Sequence, residues 1–194
     1  MTTLGGATLS QTSPDPLSFR EAMSRFATGV TVATARIDGT DAAVTVNAFA
    51  SVSLDPVLVL VSVSSRGRWA QGAVRSGAFA VSILNDRQRD LAAACARPGR
   101  SDDTALLERA GISRCFRTGC ALVDGALAAL VCTVDQSVAA GDHTIIIGRV
   151  EEIFLGADTT PLLFVRRRFA AATPVGDSVT PGSPPVSTGL HSRL

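Results

Sequence analysis

A polar run at residues 45–53, followed by an apolar run at residues 57–61, restricts the fold more than any other stretch. Four polar side chains occupy odd positions in the first run: Thr45, Asn47, Ser51 and Ser53. In an extended chain odd positions share one face, which would present hydroxyls and an amide. The second run is typical of a strand buried on both faces. The polar run beside the apolar run indicates either a barrel wall that lines a ligand site or an edge strand whose polar face is exposed to solvent.

The rest of the chain predicts short strands and few helices. Further strands are expected at residues 30–36, 42–47, 57–63, 79–84, 126–137, 143–155 and within 161–169. Helices are expected from Ser18 to before Gly29, at residues 69–75 and 86–95, and as a single turn near Leu106. Short strands that close on one another with few helices predict a mainly β fold with peripheral helices.

The first helix carries its own start and stop signals. Ser18 and Glu21 have capping-box spacing, and Gly29 is expected to end the helix. Four apolar residues fall on one helical face and are expected to pack on the barrel: Phe19, Ala22, Met23 and Phe26.

Composition excludes several classes of function. The chain has 194 residues, 46% of them hydrophobic and 18% charged, which suits one globular domain. A net charge of +1 offers no single-sign field for nucleic acid or an acidic membrane surface. No apolar run is long enough to span a membrane, and residues 1–13 lack the features of a secretory signal. We therefore expect a cytoplasmic protein with reduced thiols.

Cysteine and histidine usage argues against a metal site. The four cysteines form no Cys-x-x-Cys pair: Cys95, Cys115, Cys120 and Cys132. The histidines are His143 and His191, so no cluster supplies four zinc ligands.

Three blocks in order carry a resemblance to a known family. Residues 19–32, 45–56 and 141–150 resemble the short-chain flavin reductases, the reductase components of two-component flavin monooxygenases. The resemblance implies an FMN-binding split β-barrel and a homodimer with its site near the subunit interface. It divides the chain into a disordered arm (residues 1–16), a flavin reductase split-barrel domain (17–170) and a disordered tail (171–194).

The resemblance implies a flavin site in two segments. The first matches the family's flavin-contacting run: Thr45, Val46, Asn47, Ala48, Phe49, Ser51 and Val52. The second aligns with its phosphate-contacting segment: Ser62, Ser65, Arg66, Gly67, Arg68 and Trp69. An Arg fork with hydroxyls and a glycine amide suits a flavin phosphate, although the residues alone, without the resemblance, favour a solvated loop.

His143 matches the family's nicotinamide-side histidine and is the predicted catalytic residue. Asp142 beside it could orient a base, but adjacent residues of a strand point in opposite directions, which argues against that role. Arg167 stands where the family usually has glycine, in a run of three arginines that could meet a nucleotide phosphate or lie solvated at a strand end.

The implied activity is hydride transfer from NADH or NADPH to FMN or FAD, which supplies reduced flavin to a separate monooxygenase. The cofactors carry the difficult chemistry, so no nucleophile or acid–base pair is required. Two alternatives stay open at this point: a split barrel that binds flavin without turnover, which the Arg167 substitution favours, and a small barrel used only as an interaction domain.

Overall fold

The computed structural model describes residues 2–4, 7–97, 99, 103–157 and 159–173. Fourteen strands lie in these ranges: β1 Thr2–Leu4, β2 Ala7–Leu9, β3 Thr28–Gly29, β4 Thr31–Ile37, β5 Thr40–Val46, β6 Phe49–Leu54, β7 Val57–Ser64, β8 Ala78–Ile83, β9 Ile112–Arg114, β10 Ala121–Val123, β11 Ala128–Ala140, β12 His143–Leu155, β13 Leu162–Val165 and β14 Arg168–Ala171. The helices are α1 Pro16–Ser24, α2 Arg68–Ser76, α3 Arg89–Cys95 after a 3₁₀ turn at Asp86–Gln88, and α4 Asp103–Ala110.

One seven-stranded antiparallel sheet organises the chain, in the order β5-β4-β8-β11-β12-β7-β6. Its edge strands, β5 and β6, are consecutive in sequence and are joined only by Asn47 and Ala48. The sheet must therefore curl until its two edges meet at this connection, although backbone pairing does not close it. This is the split β-barrel that the resemblance implied.

The barrel interior is filled by small and β-branched side chains. Trp69 of α2 packs edge-to-face on Phe79 of β8, with ring centroids 5.8 Å apart, and plugs one side of the barrel core. A second apolar cluster lies under α3 and α4, around Leu84 and Leu107, which are both fully buried. The long β11–β12 hairpin contributes Cys132 and Ile146 to the barrel core, whereas Val131 belongs to a third, smaller cluster with Cys115 and Cys120.

The first helix differs from its prediction. Asp15, not Ser18, is the N-cap: its carboxylate accepts from the Leu17 and Ser18 amides, and the Ser18 hydroxyl also donates to it. Helix α1 ends at Ser24, and Gly29 belongs to β3 instead of ending the helix. The capping-box prediction failed because Asp15 precedes Pro16, which suits the first helical position.

The apolar face of α1 does not pack on the barrel. Phe19 and Phe26 are 63% and 66% exposed, and no residue of α1 is buried. A helix whose apolar stripe is not covered by the described residues needs another surface to bury that stripe.

The polar run at residues 45–53 is not one strand. It breaks at Asn47 and Ala48 into the end of β5 and the start of β6, and the register of β6 shifts between Ser51 and Ser53. The break turns the chain from one edge of the sheet to the other. The expected single polar face therefore does not exist.

The flanks and the last strand also differ from expectation. Within the arm predicted for residues 1–16, β1 pairs with β2 and Pro16 already belongs to α1. The tail was predicted to begin at residue 171, but Ala171 is the last residue of β14. Residues 174–194 of the predicted tail lie outside the described part of the chain. The predicted last strand is a hairpin, β13–β14, and the single turn near Leu106 is the two-turn helix α4.

The four described helices have at most nine residues each, and none is long and apolar enough to cross a membrane. In the same described ranges, no group of three or more His, Cys, Asp and Glu side chains is arranged to hold a metal ion.

Candidate active site

The register of three strands brings the predicted site segments together. Ser62 of β7 donates its amide to the Ala48 carbonyl at 2.9 Å and pairs with Ile145 of β12 on its other side. Two residues further along β7, Ser64 pairs with His143. Because neighbouring strands lie about 4.8 Å apart and His143 is two residues from Ile145 along β12, the predicted flavin run and the predicted histidine are about 12 Å apart.

These residues lie on the outer surface of the sheet. The inward side chains of β7 are Val59, Val61 and Val63, all buried in the barrel core. Alternation then places Leu60, Ser62 and Ser64 outside, and His143 lies on the same face because directly paired residues share a face. The outer surface of β7 and β12 therefore offers hydroxyls and an imidazole above a barrel that is apolar inside.

A cavity of about 700 Å³ opens beside this surface, between α1 and the start of β6. Its lining is mostly apolar, with an amide and two hydroxyls among the walls: Met23, Phe26, Ala27, Thr28, Gly29, Thr31, Asn47, Ala48, Phe49, Ala50, Leu60 and Ile83. A flat aromatic ring system of drug-like size fits a pocket of this volume and polarity. The buried Thr28 hydroxyl has no hydrogen-bond partner among the described residues.

The loop between β7 and α2 is fastened to the start of β12. The Ser65 amide donates to the Asp142 carbonyl at 3.0 Å, and the Ser65 and Thr144 hydroxyls are 2.9 Å apart. Gly67 caps α2 without a side chain, and a Cβ there would lie 3.3 Å from the Ser64 carbonyl. The first amides of α2 are thus open at a helix N-terminus, where an anion is favoured.

The two arginines of this loop have different surroundings. Arg68 donates to the buried Asp103 carboxylate at 2.8 Å and to the Asp41 carbonyl at 3.1 Å. Arg66 is exposed and forms no ion pair with any of the described residues. Arg68 therefore ties α2 to α4 and β5, and Arg66 is the arginine available to an external phosphate.

His143 and Asp142 are hydrogen-bonded, with Nδ1 and Oδ1 2.7 Å apart. The expectation that they point in opposite directions is wrong, because Asp142 belongs to the turn before β12 and is not bound by strand alternation. The hydrogen bond from His143 lowers the pKa of the Asp142 carboxyl, so it is ionised near neutral pH and can only accept. Nδ1 must then carry the proton, and in the neutral ring Nε2 is left as an acceptor.

Three predicted cofactor residues direct their side chains away from the outer surface. The Thr45 hydroxyl donates to the Ala92 carbonyl of α3 at 2.6 Å, Val46 is buried, and the Trp69 ring lies in the barrel core. Any contact they make with a bound nucleotide would run through backbone atoms. Ser51 and Val52 lie on the exposed outer edge of β6, where the register shifts.

Arg167 occupies the turn of the β13–β14 hairpin. Arg166 and Arg167 have φ of +48° and +61°, the two-residue geometry of a type I′ turn, and Arg166 donates its amide to the Ser24 carbonyl at the end of α1. Glycine suits this position because it adopts positive φ at little cost. The turn is retained with arginine, and the Arg167 side chain lines a surface depression beside α1.

Sequence reasoning missed several residues around the site. Met23, Phe26 and Thr28 line the cavity, whereas the helix was expected to bury its apolar face. Ser64 and Thr144 lie where the loop between β7 and α2 meets β12. Polar residues directly after the apolar run were the available signal for Ser64; nothing in the sequence indicated that α1 would be exposed.

Comparison with known proteins tests these expectations. The family model described as flavin reductase like domain matches residues 23–173. The chain belongs to this family. The match includes the cavity lining from Met23, both segments of the predicted flavin site and His143.

Curated and solved flavin reductases are similar over most of this chain. It is 39% identical over 164 residues to an NADH-dependent flavin reductase of a Rhodococcus species, covering 83% of this chain and 89% of that protein. It is 36% identical to the reductase component of 4-hydroxyphenylacetate 3-monooxygenase of Thermus thermophilus, covering 78% and 93%.

Among solved structures, an NADH:FAD oxidoreductase of Streptomyces globisporus in complex with NAD and FAD fragments gives a TM-score of 0.80 at 30% identity, covering 87% of this chain and all of that one. The flavin reductase component of a bacterial two-component tryptophan halogenase gives 0.77 at 37% identity, covering 81% and 98%. The family, the fold class and the flavin reductase activity expected from the sequence are confirmed.

Proposed function

We propose that this protein is a homodimeric cytoplasmic reductase that transfers a hydride from NADH or NADPH to FMN or FAD on the outer surface of β6, β7 and β12. The reduced flavin then passes to a separate monooxygenase. One observation supports the assignment of the site. The cavity lining, the loop between β7 and α2, and His143 lie at the same end of β6, β7 and β12. When bound, the flavin supplies an electrophilic N5 that accepts the hydride from nicotinamide C4.

The residues fit a flavin nucleotide in two parts. The apolar walls of the cavity suit the ring system, and Asn47 and the Ser62–Ala48 backbone contact lie where polar groups would meet its edge. The open amides of α2, Ser65 and Arg66 suit a phosphate. The unpartnered Thr28 hydroxyl is consistent with a polar ligand at the cavity, since a buried hydroxyl without a hydrogen bond is unfavourable.

His143 would position the nicotinamide. With Nδ1 donating to Asp142, its neutral ring presents Nε2 as an acceptor for the carboxamide N–H of the dinucleotide. Asp142 would hold the ring in that tautomer and rotation. This role is orientation, because hydride transfer depends steeply on the distance between the donor carbon C4 of the nicotinamide and the acceptor nitrogen N5 of the flavin.

The dimer is proposed from the same geometry. The exposed apolar face of α1 continues into the cavity through Met23 and Phe26. A second copy seated on this face would bury the stripe and add a wall to an otherwise open cavity.

Delivery to a monooxygenase is proposed from the relatives, several of which are reductase components of such systems. Oxidation of NADH and of NADPH by the purified chain, with FMN, with FAD and with neither, tests the function. Flavin-dependent oxidation is expected. A protein that binds flavin without oxidising either dinucleotide would contradict the proposal.

A further inference from the structure

Two cysteines face each other across the β9–β10 turn. The last paired residues of these strands are Arg114 and Ala121, so Cys115 and Cys120 are the next opposed positions. The Cys115 amide donates to the Cys120 carbonyl at 3.0 Å, which extends the ladder by one step. Opposed residues of this kind have Cα atoms about 5.5 Å apart, inside the range that a disulfide spans.

Both side chains are on the same face and in the same buried cluster. Directly opposed residues of an antiparallel pair share a face. Cys115 and Cys120 both belong to the small apolar cluster that includes Ala80 and Val131. Both thiols therefore lie in the same apolar cluster, and a disulfide between them would not require either strand to rotate.

Cys115 has a route to small molecules. It lines a groove of about 580 Å³ together with Phe116 and Glu152, whereas Cys120 is not part of that lining. The Cys115 thiol is 3.6 Å from a Glu152 carboxylate oxygen, which can accept its proton. Burial raises the pKa of the Cys120 thiol, so Cys120 is less reactive towards an oxidant in the first step.

We propose that Cys115 and Cys120 are an oxidation site, in which hydrogen peroxide converts the thiol pair to a disulfide. The Cys115 sulfur attacks one peroxide oxygen, the O–O bond breaks, Glu152 takes the thiol proton and hydroxide leaves, giving a sulfenic acid and, after protonation, water. The Cys120 sulfur then attacks the Cys115 sulfur, the S–O bond breaks, and the hydroxyl leaves as a second water with the Cys120 proton. Two thiols are oxidised and one peroxide is reduced to two waters.

The oxidant follows from the flavin reductase activity, on which this part of the inference rests. Reduced flavin that meets oxygen before it meets a monooxygenase returns to the oxidised state and yields hydrogen peroxide. Peroxide is therefore formed where this protein works, whenever reduced flavin is produced faster than it is used.

The pair lies far from the proposed hydride-transfer site. Glu152, beside Cys115, is nine residues along β12 from His143, about 30 Å at the rise of a strand. The disulfide would instead fix the turn that presents Phe116, whose side chain is fully exposed.

The test uses the full-length protein, reduced and then treated with a small excess of hydrogen peroxide before alkylation. We expect alkylatable thiols to fall from four to two and the intact mass to fall by about 2 Da, with both changes reversed by dithiothreitol. Trypsin cleaves after Arg117, inside the turn, so the disulfide links the fragment 115–117 to the fragment 118–149. Fragmentation of the linked peptide in the wild type distinguishes Cys120 from Cys132, which lies in the same fragment.

Variants separate the roles of the two thiols. In Cys120→Ala, dimedone should label Cys115 as the sulfenic acid, and in Cys115→Ala it should not label Cys120. Cys132→Ala is the matched control and should form the same link, because burial raises the pKa of the Cys132 thiol to about 12 and keeps it unreactive.

Peroxide oxidation that leaves Cys115 and Cys120 unlinked in the folded wild type, or that links either to Cys132, would overturn the proposal. Aerobic turnover with NADH and flavin should form the same link, and catalase should prevent it. If added peroxide forms the link and active turnover does not, the proposed source of oxidant is wrong. Absence of turnover itself would count against the reductase function alone.

Discussion

Arg66 and Arg68 are two residues apart, yet their guanidinium groups have different surroundings. Arg68 satisfies the buried carboxylate of Asp103, which also accepts from the Ala43 amide at 2.9 Å. Arg66 extends from the loop that is hydrogen-bonded to Asp142 and Thr144. Arg68 therefore holds the start of α2 in place, and we propose that Arg66 meets the nucleotide phosphate.

The first prediction separates these roles. Arg66→Ala should weaken FMN binding by about 10-fold or more, because one charged hydrogen bond is lost, and should leave riboflavin binding nearly unchanged. Arg68→Ala should instead lower the free energy of unfolding by about 1–3 kcal/mol, since Asp103 loses a partner at a buried site. Titration calorimetry and thermal melts of both variants measure the two effects. Equal losses of FMN and riboflavin affinity in Arg66→Ala would remove its phosphate role.

At the scale of elements, the β13–β14 hairpin carries two arginines in a turn that normally selects Asn and Gly. Non-glycine residues with positive φ are strained by about 1 kcal/mol or more each. The hairpin persists because its strands pair over four positions, Phe164 packs on Phe169, and β3 adds a third strand.

Arg167→Gly should therefore raise the free energy of unfolding by about 0.5–1 kcal/mol while it deletes the side chain. Arg167→Lys keeps a charge and the same backbone strain, so it is the matched control and should not be stabilised. If Arg167 also contacts the dinucleotide, the KM for NADH or NADPH should rise in Arg167→Gly and much less in Arg167→Lys. A glycine variant that is less stable than the wild type would contradict the turn geometry.

The β4–β5 hairpin is anchored by a buried carboxylate. Asp41 accepts two hydrogen bonds from Arg114 of β9, at 2.9 and 2.8 Å, and one from Arg36 of β4 at 3.0 Å. Burial raises the pKa of Asp41, but the hydrogen bonds from Arg114 and Arg36 outweigh it and hold that pKa below its ordinary value. The ionised carboxylate thus joins the barrel edge to the segment after α4.

Asp41→Asn should lower the free energy of unfolding by about 3 kcal/mol at neutral pH, because two arginines lose their charged partner. A lowered pKa stabilises the fold above the unfolded-state pKa, and the gain disappears as pH falls through the folded-state value. The difference between wild type and variant should therefore be constant above about pH 5 and shrink below about pH 4. Denaturant melts across that range check this. A difference that grows on acidification would contradict the ionised, paired state of Asp41.

Local sequence patterns predicted most strands and helices well. They predicted less well how these elements contact one another. The β12 bounds and the strands β4, β5 and β7 follow from residue periodicity to within one or two residues at most ends. The break at Asn47 and Ala48 was missed because alternation continues through it; only the closing of the sheet forces the chain to change edges there. The exposure of α1 and the Asp142–His143 contact depend on what lies across space, which periodicity does not contain.

At the scale of the whole molecule, the uncovered face of α1 predicts the assembly. Phe19→Asp should convert the proposed dimer to a monomer, because a carboxylate would be buried at the subunit interface. Leu155→Asp is the matched control, because Leu155 is also an exposed apolar residue and lies at the far end of β12. Light scattering after size exclusion gives the mass of each. A wild-type monomer, or a dimer lost in the control and kept in Phe19→Asp, would contradict this arrangement.

We propose that hydride transfer takes place at the outer end of β7 and β12, beside His143. The most direct measurement is anaerobic stopped-flow reduction of protein-bound flavin by NADH, with wild type and His143→Ala compared at matched stability. We predict that the variant reduces flavin about 10- to 100-fold more slowly, with unchanged flavin affinity and melting temperature, since only the placement of the nicotinamide is lost. A His143→Ala protein that melts early yet reduces flavin at the wild-type rate when folded would contradict the account.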